Sequence, residues 1–454
     1  MDRPKTSKYN ICLPIAGRDG KWLIFNGVNG AVNVVNGQLG QLLEAADQNG
    51  RMLPPMDEKT FHFLMNHGYL DSRMYPEEAK LDQVCTSLHG NSCKHVVMSI
   101  VPTFFCNFNC DYCFEKSLRE KESHRLGAVM SKQMVDAVFS QMEAFRAEGK
   151  YIEQFIFFGG EPFLPGTKEI VRYTCQKCQD AGVPMQVITN GYYLDEFLDI
   201  IAQYHFTAVK ITIDGPREIH DTRRSPPGEK HSFDRIISNT LEALKTGKLI
   251  TFRTNINREN MDVIDRMKEE YEKLGLTAFP NFQYYFCATM DSFERAENTV
   301  SNVDVMEKIG LRCAQFPYNS AYARMHRRLV AYMEGKRYEN LRAEFCVAHS
   351  GKYTVDPFGN VYTCWDLMHN PEAIVAKLDV EQGRFVYNEN YEKWTQRTVN
   401  QLEKCRECKY AMFCGGGCAA QSLESKGCMD EGFCDSFPEI FNQVAVQIAK
   451  ERLL

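Results

Sequence analysis

Short apolar runs separated by polar, turn-rich stretches set the rhythm of this chain from about residue 94 onward. Val96 to Val101 is one such run, ending at Pro102, and others recur at 154–158, 185–189, 208–213, 250–256 and 282–286. Each has strand length and reads as a buried strand. Between them, the stretches 131–146, 194–204, 232–246 and 260–274 repeat apolar residues at helical spacing. This alternation predicts α/β units feeding a parallel sheet. Six of them make a partial (β/α)6, TIM-like barrel, with the chemistry at the carboxyl ends of the strands.

The first 90 residues follow another pattern. Leu23–Phe25 and Ala31–Val35 read as two short strands, with the turn residues Asn26-Gly27 and Asn29-Gly30 between them. Helical stretches follow at about 37–47 and 58–67. The order of hairpin, helix, helix predicts a winged-helix-like module over 1–90. The barrel is expected over 91–300 and a helical bridge over 301–345. From 346 to 434 cysteines dominate and periodicity fades, before a helical pattern returns at 438–453.

Composition narrows the function. Of 454 residues, 44% are apolar and 25% charged, as in a globular protein. A net charge of −6 gives no electrostatic footing for nucleic acid. No uninterrupted apolar segment approaches the ~18 residues of a membrane span, and the start lacks a signal-peptide core, so a cytoplasmic location is expected. Eighteen cysteines are then unusual. Disulfides do not persist in a reducing compartment, and grouped thiols there point to metal.

The first group follows the first barrel strand: Cys106, Cys110 and Cys113, with Tyr112 between the last two. Three thiolates leave one iron of a four-iron cluster open to a small chelating molecule. A strongly reducing cluster touching a sulfonium can break a carbon–sulfur bond, and the potential of such clusters is set by charge, hydrogen bonds and exposure. Gly159-Gly160-Glu161-Pro162 follows the second strand; its glycines allow close backbone approach to a ligand. Asn190-Gly191 closes the third strand. Thr212, Asp214, Gly215 and Pro216 close the fourth, with His220, Asp221 and Arg224 beyond them. Arg224 suits a carboxylate. Arg253, Asn255 and Asn257 alternate with apolar residues on the fifth strand, giving it one polar face.

The CxxxCxΦC spacing with these motifs resembles the radical S-adenosylmethionine (SAM) superfamily. By that resemblance Tyr112, Gly159, Gly160, Glu161, Pro162, Asn190, Thr212, Asp214 and Arg224 contact SAM, with Thr212 standing where the family usually has serine. Further on, Cys346, Gly359, Cys364, Cys405, Cys408, Cys414, Cys418 and Cys434 follow the order of a SPASM domain. The resemblance implies two auxiliary four-iron clusters, making three in all. Cys405, Cys408, Cys414 and Cys434 would hold one; Cys346, Cys364 and Cys418 would hold the other, with an open iron or with Cys313 or Cys287 as fourth ligand. Cys428 is a rival to Cys434. A zinc ribbon would account for Cys405, Cys408, Cys414 and Cys418 alone. Cys175 and Cys178 read as ordinary helix positions.

Most of the chain, about 90–440, carries this resemblance. The N-terminal module is similar to the element with which many peptide-modifying radical SAM enzymes capture a leader peptide as an added strand. The resemblance therefore implies an oxidoreductase acting on a ribosomally made peptide, fed electrons by a flavodoxin- or ferredoxin-type donor. Asp366, two residues beyond Cys364, is a candidate general base. The alternatives are a formylglycine-forming sulfatase maturase and a non-catalytic iron–sulfur or zinc scaffold.

Overall fold

The computed structural model describes residues 4–15, 20–71, 76–110, 112–113, 115, 127–229, 231–289, 298–309, 321–335 and 341–452. The chain forms two compact units. One gathers 93–320 and 347–395; the other gathers 1–92, 321–346 and 396–454. Cys313, a candidate ligand, lies outside the described residues.

The larger unit is built on the expected barrel strands. They are β4 (His95–Ile100), β5 (Tyr151–Phe157), β6 (Met185–Thr189), β7 (Phe206–Thr212), β8 (Ile250–Ile256) and β9 (Phe282–Ala288). All five pairings from β4 to β9 are parallel and sequential. Helices at Lys132–Ala147, Lys168–Asp180, Phe233–Leu244 and Val263–Lys273 alternate with them. Ser131 starts the first of these helices by accepting from the Met134 amide, which satisfies a helix-end donor. Phe163 stacks on Phe197 at 4.3 Å, and both are fully buried. Burying such a ring contributes about 1.5–3 kcal/mol.

Four further strands extend this sheet beyond β4, the first of the six. They are β10 (Lys352–Val355), β11 (Asn360–Tyr362), β12 (Ile374–Asp379) and β13 (Arg384–Tyr387). β10 pairs parallel with β4, and β11 to β13 continue antiparallel, so the sheet reads β13-β12-β11-β10-β4-β5-β6-β7-β8-β9. Compactness thus joins 347–395 to the barrel because backbone pairing does. Strands of three to six residues carry too little alternation to be read from sequence.

The other unit holds an antiparallel sheet of β1 (Asn10–Pro14), β2 (Lys21–Asn26) and β3 (Ala31–Asn36). Helices Gly37–Gln48 and Glu58–Asn66 follow as expected, capped by Asn36 and Asp57. β1 and a third helix, Glu77–Ser92, add to the expected order. Trp22, Ile24, Leu43, Leu64 and Tyr69 form the core of this module. Phe25 continues into an aromatic cluster with Tyr332, Phe413 and Phe441, so the N-terminal sheet and the C-terminal helix Phe437–Arg452 share one interior.

Candidate active site

The carboxyl ends of the parallel strands enclose a cavity of about 200 Å³. Cys106, Cys110 and Cys113 line it, as do Gly159, Gly160 and Glu161 from the end of β5. Asn190, Thr212, Arg224 and Asp366 also reach it. Pro162 and Asp214, expected to touch SAM, are buried and do not line it among the described residues.

The glycines allow close approach first of all within the chain itself. A Cβ on Gly160 would fall 2.3 Å from the Phe105 carbonyl oxygen, and one on Gly159 2.3 Å from Val101 Cγ1. The Glu161 amide donates to that same Phe105 oxygen at 2.8 Å. The start of the cysteine loop is thereby pressed against the end of β5.

Glu161 is a crossbar. Its carboxylate accepts from the Phe163 amide at 2.8 Å, the Thr189 hydroxyl at 2.6 Å and the Asn190 amide at 2.6 Å. Burial outweighs these bonds and raises its carboxyl to about 7. Asn190 is held so that its side-chain amide donates to Asn107 at 2.8 Å and faces Cys106 Sγ at 3.9 Å.

Tyr112 does more than supply an aromatic face. Its hydroxyl donates to Asp214 and accepts from Arg224 at 2.5 Å and from Asn255 at 3.1 Å. Asp214 in turn accepts from the Asn255 amide at 3.1 Å. Burial holds the phenol well above its ordinary value, so it stays a donor. His220 is fully buried and held well below its ordinary value, by burial first and then by Arg224 and Arg223. Neutral, it accepts the Asp214 amide on Nδ1 at 3.3 Å. Asp221 accepts from the Ser232 and Phe233 amides at the start of a helix. The DGP-to-Arg224 segment is therefore largely a support for the cysteine loop. Sequence order shows these residues but not their convergence on one phenol.

The rest of the lining was not read from sequence, Phe158, Arg253, Asn255 and Asp366 apart. Phe158 stacks on Trp365 at 4.5 Å, and Lys352 Nζ sits 3.0 Å from the Trp365 ring centroid. Thr289 also faces the cavity. Asp366 is raised by burial and lowered by Lys352 and Arg253. Arg253 approaches Cys287 Sγ at 3.7 Å, which places that candidate ligand beside the cavity wall. Asn257, on the same strand face, instead accepts from Arg223 at 3.2 Å.

In the other unit, Cys405, Cys408, Cys414 and Cys434 act on one another electrostatically. Cys434, not Cys428, figures among the groups acting most strongly on the other three. Burial raises Cys405 to about 12 and Cys414 to about 11. Gly417 lies against Phe433, where a Cβ would fall 1.8 Å from the Phe433 oxygen, and the Phe433 amide donates to Gly416. Cys364 follows β11 in the barrel unit. Cys175 and Cys178 are core residues of their helix, their thiols raised by burial.

These donor sets suit iron–sulfur clusters better than single ions. Four sulfurs at about 2.3 Å from one zinc nearly touch, whereas each thiolate of a four-iron cluster binds a different iron. The triplet lines the cavity, and the set of four thiols belongs to the other unit.

The parallel strands and most of this cavity lie in a radical SAM domain, the catalytic unit of radical-chemistry enzymes. Residues 100–270 match the family described as the Radical SAM superfamily, whose members use a four-iron cluster and SAM. A cysteine-type anaerobic sulfatase-maturating enzyme of Clostridium novyi is 22% identical over 358 residues, covering 74% of this chain and 92% of that protein. Two solved structures share the fold. One is anSMEcpe with bound AdoMet and Cp18Cys peptide, with a TM-score of 0.57, 17% identity, and coverage of 79% of this chain and 98% of that one. The other is Streptococcus suis SuiB bound to precursor peptide SuiA, with a TM-score of 0.53, 13% identity, and coverage of 94% and 98%. No helix among the described residues is long and apolar enough to cross a membrane.

Proposed function

We propose that this chain is a radical SAM peptide maturase that oxidatively modifies, by crosslinking, residues of a ribosomally made peptide. The observation that carries the reading is that one cavity brings together the cysteine triplet and the Trp365–Asp366 turn beyond Cys364.

Cys106, Cys110 and Cys113 would hold the first cluster. Cys405, Cys408, Cys414 and Cys434 would hold one auxiliary cluster, and Cys346, Cys364 and Cys418 the other. When bound, the clusters supply the electron that cleaves SAM to methionine and a 5′-deoxyadenosyl radical, and the acceptor for the electron the substrate gives up. The remaining work falls to side chains and backbone. Backbone groups at Gly159 and Gly160, beside the Glu161 crossbar, would hold the amine of SAM. Arg224 would pair with its carboxylate, and Thr212 would offer a hydroxyl. Asp366 takes the proton the substrate sheds, its carboxyl raised by burial and only partly offset by Lys352 and Arg253. Trp365 and Phe158 give the substrate an apolar face that excludes water.

The N-terminal module supports a peptide substrate. SuiB, described with its precursor peptide, resembles 94% of this chain, against 79% for the sulfatase-maturase structure. The module would bind a leader segment, with electrons arriving from a flavodoxin- or ferredoxin-type protein in the cytoplasm. The 22% identity to a sulfatase maturase favours a second reading, oxidation of a single cysteine or serine.

The test is anaerobic. Reconstituted protein should carry about twelve irons if all three sites hold four-iron clusters. With reductant and SAM it should release 5′-deoxyadenosine. A short peptide encoded beside its gene should lose a pair of hydrogens and gain a crosslink visible by tandem mass spectrometry. A sulfatase-derived peptide converted to the aldehyde instead would establish the second reading. Failure to form deoxyadenosine with all clusters loaded would overturn both.

A further inference from the structure

Arg397 is a buried cation without a matching carboxylate. It is 4% exposed, and among the described residues no carboxylate lies within ion-pair distance of it. Burying an unpaired charge is costly unless something compensates. Hydrogen bonds satisfy its donors: it donates to the carbonyls of Met429 at 2.7 Å, Gly417 at 2.9 Å, Glu431 at 2.9 Å and Gly416 at 3.3 Å. None of these acceptors carries a negative charge. The charge itself is therefore still to be balanced.

The carbonyls it holds flank cysteines. Gly416 and Gly417 lie between Cys414 and Cys418, and Glu431 precedes Cys434. Gly415, with φ of 81°, packs on the chain just before Cys346; a Cβ there would fall 2.5 Å from the Glu344 oxygen. The Val399 amide, two residues beyond Arg397, donates to Ala343 at 2.7 Å. Burial pushes the guanidinium below its ordinary value, and the groups that act against this are Cys405, Cys418, Cys346 and Cys414. Two of these thiols belong to each auxiliary set.

We infer that Arg397 is the shared counter-cation of the two auxiliary clusters, and a positioning residue that raises their reduction potentials. An arginine stays protonated at any working pH and its planar fork serves several carbonyls at once. A fixed positive charge beside a cluster favours the form with the extra electron, so the potential rises. Of the cations nearby, Arg397 acts on Cys405, whereas Lys409, which acts on Cys408, already has the Asp47 carboxylate as its partner.

The inference rests on the auxiliary-cluster reading above, and the experiment separates the two. Full-length protein with Cys106, Cys110 and Cys113 replaced by alanine retains only auxiliary signals. Iron is counted, and midpoint potentials are read by electron paramagnetic resonance in an anaerobic redox titration. Little or no iron in this parent overturns the cluster reading and the inference with it. In a loaded parent, Arg397→Met should lower the potential of at least one auxiliary signal by a tenfold change in the reduction equilibrium, about 59 mV for one electron. Arg397→Lys keeps the charge and should stay near the parent. A loaded methionine variant with unchanged potentials overturns the inference. If the methionine variant does not load, the lysine variant decides: parent-like potentials support it, and a drop of tenfold or more overturns it.

Discussion

The Tyr112 hydroxyl donates to the Asp214 carboxylate across 102 residues of sequence. That contact ties the cysteine loop to the end of β7, and Arg224 and Asn255 join at the same oxygen. Tyr112→Phe removes one hydroxyl and leaves three polar groups short of a partner, two of them charged. Each buried group so stranded costs about 1–3 kcal/mol. A fall in unfolding free energy of that order is expected in the cluster-free protein, with slower SAM cleavage in the loaded one. Denaturant titration and deoxyadenosine assays check it; a variant matching the parent in both would show that the network is dispensable.

Gly160→Ala tests the close approach to Phe105. The added methyl meets backbone atoms rather than a yielding side chain. The cysteine loop must move, so the first cluster should be lost while the auxiliary sets keep theirs. Iron should fall by about four per chain, and deoxyadenosine formation should disappear. Full iron with normal cleavage would contradict the packing argument.

Glu161 predicts a pH dependence. Its folded value of about 7 lies above 4.5 for the free group. Between those values the folded chain keeps a proton that the unfolded chain gives up. Stability of the cluster-free protein therefore falls as pH rises through this window, by up to about 1.4 kcal/mol per unit, and does not recover above it. Glu161→Gln should flatten that part of the profile, whatever it does to the absolute level. Urea midpoints measured across the window check it, and identical slopes for parent and variant would count against the buried carboxyl.

Trp365→Ala removes the stack on Phe158 and the ring beneath Lys352. Cleavage of SAM without substrate should persist, because Trp365 is not among the residues expected to hold SAM or the first cluster. Peptide product should fall about tenfold, equivalent to about 1.4 kcal/mol of transition-state binding. Equal loss of both activities would show that Trp365 serves SAM rather than substrate.

The barrel was legible because its strands are apolar runs with helices between them. β8 was read at its observed limits, 250–256, and β6 at 185–189. β1 was not, since Asn10–Pro14 has only Ile11, Cys12 and Leu13 between polar and turn residues. The strands β10 to β13 escaped because pairing with β4, a distant partner, stabilises segments with little pattern of their own. The same holds in the site. Cysteine spacing is local and could be read, as could the motif residues around it. The meeting of Tyr112, Asp214, Arg224 and Asn255 depends on β7 and β8 lying side by side and on the loop after β4 reaching them, and no spacing in the chain encodes it. Arg397 gave no signal either, because a lone arginine in sequence reads as surface.

The parallel pairing of β10 with β4 also fixes a spacing. Lys352 to Val355 run in register with Val97 to Ile100, the strand that leads into the cysteine loop. The hairpin of β10 and β11 that leads to Trp365 and Asp366 is therefore anchored on the strand that leads to the cysteine loop. Any shift of β10 along β4 would slide one wall-bearing segment against the other by whole rungs, so the spacing of the two is set by backbone and not by side chains.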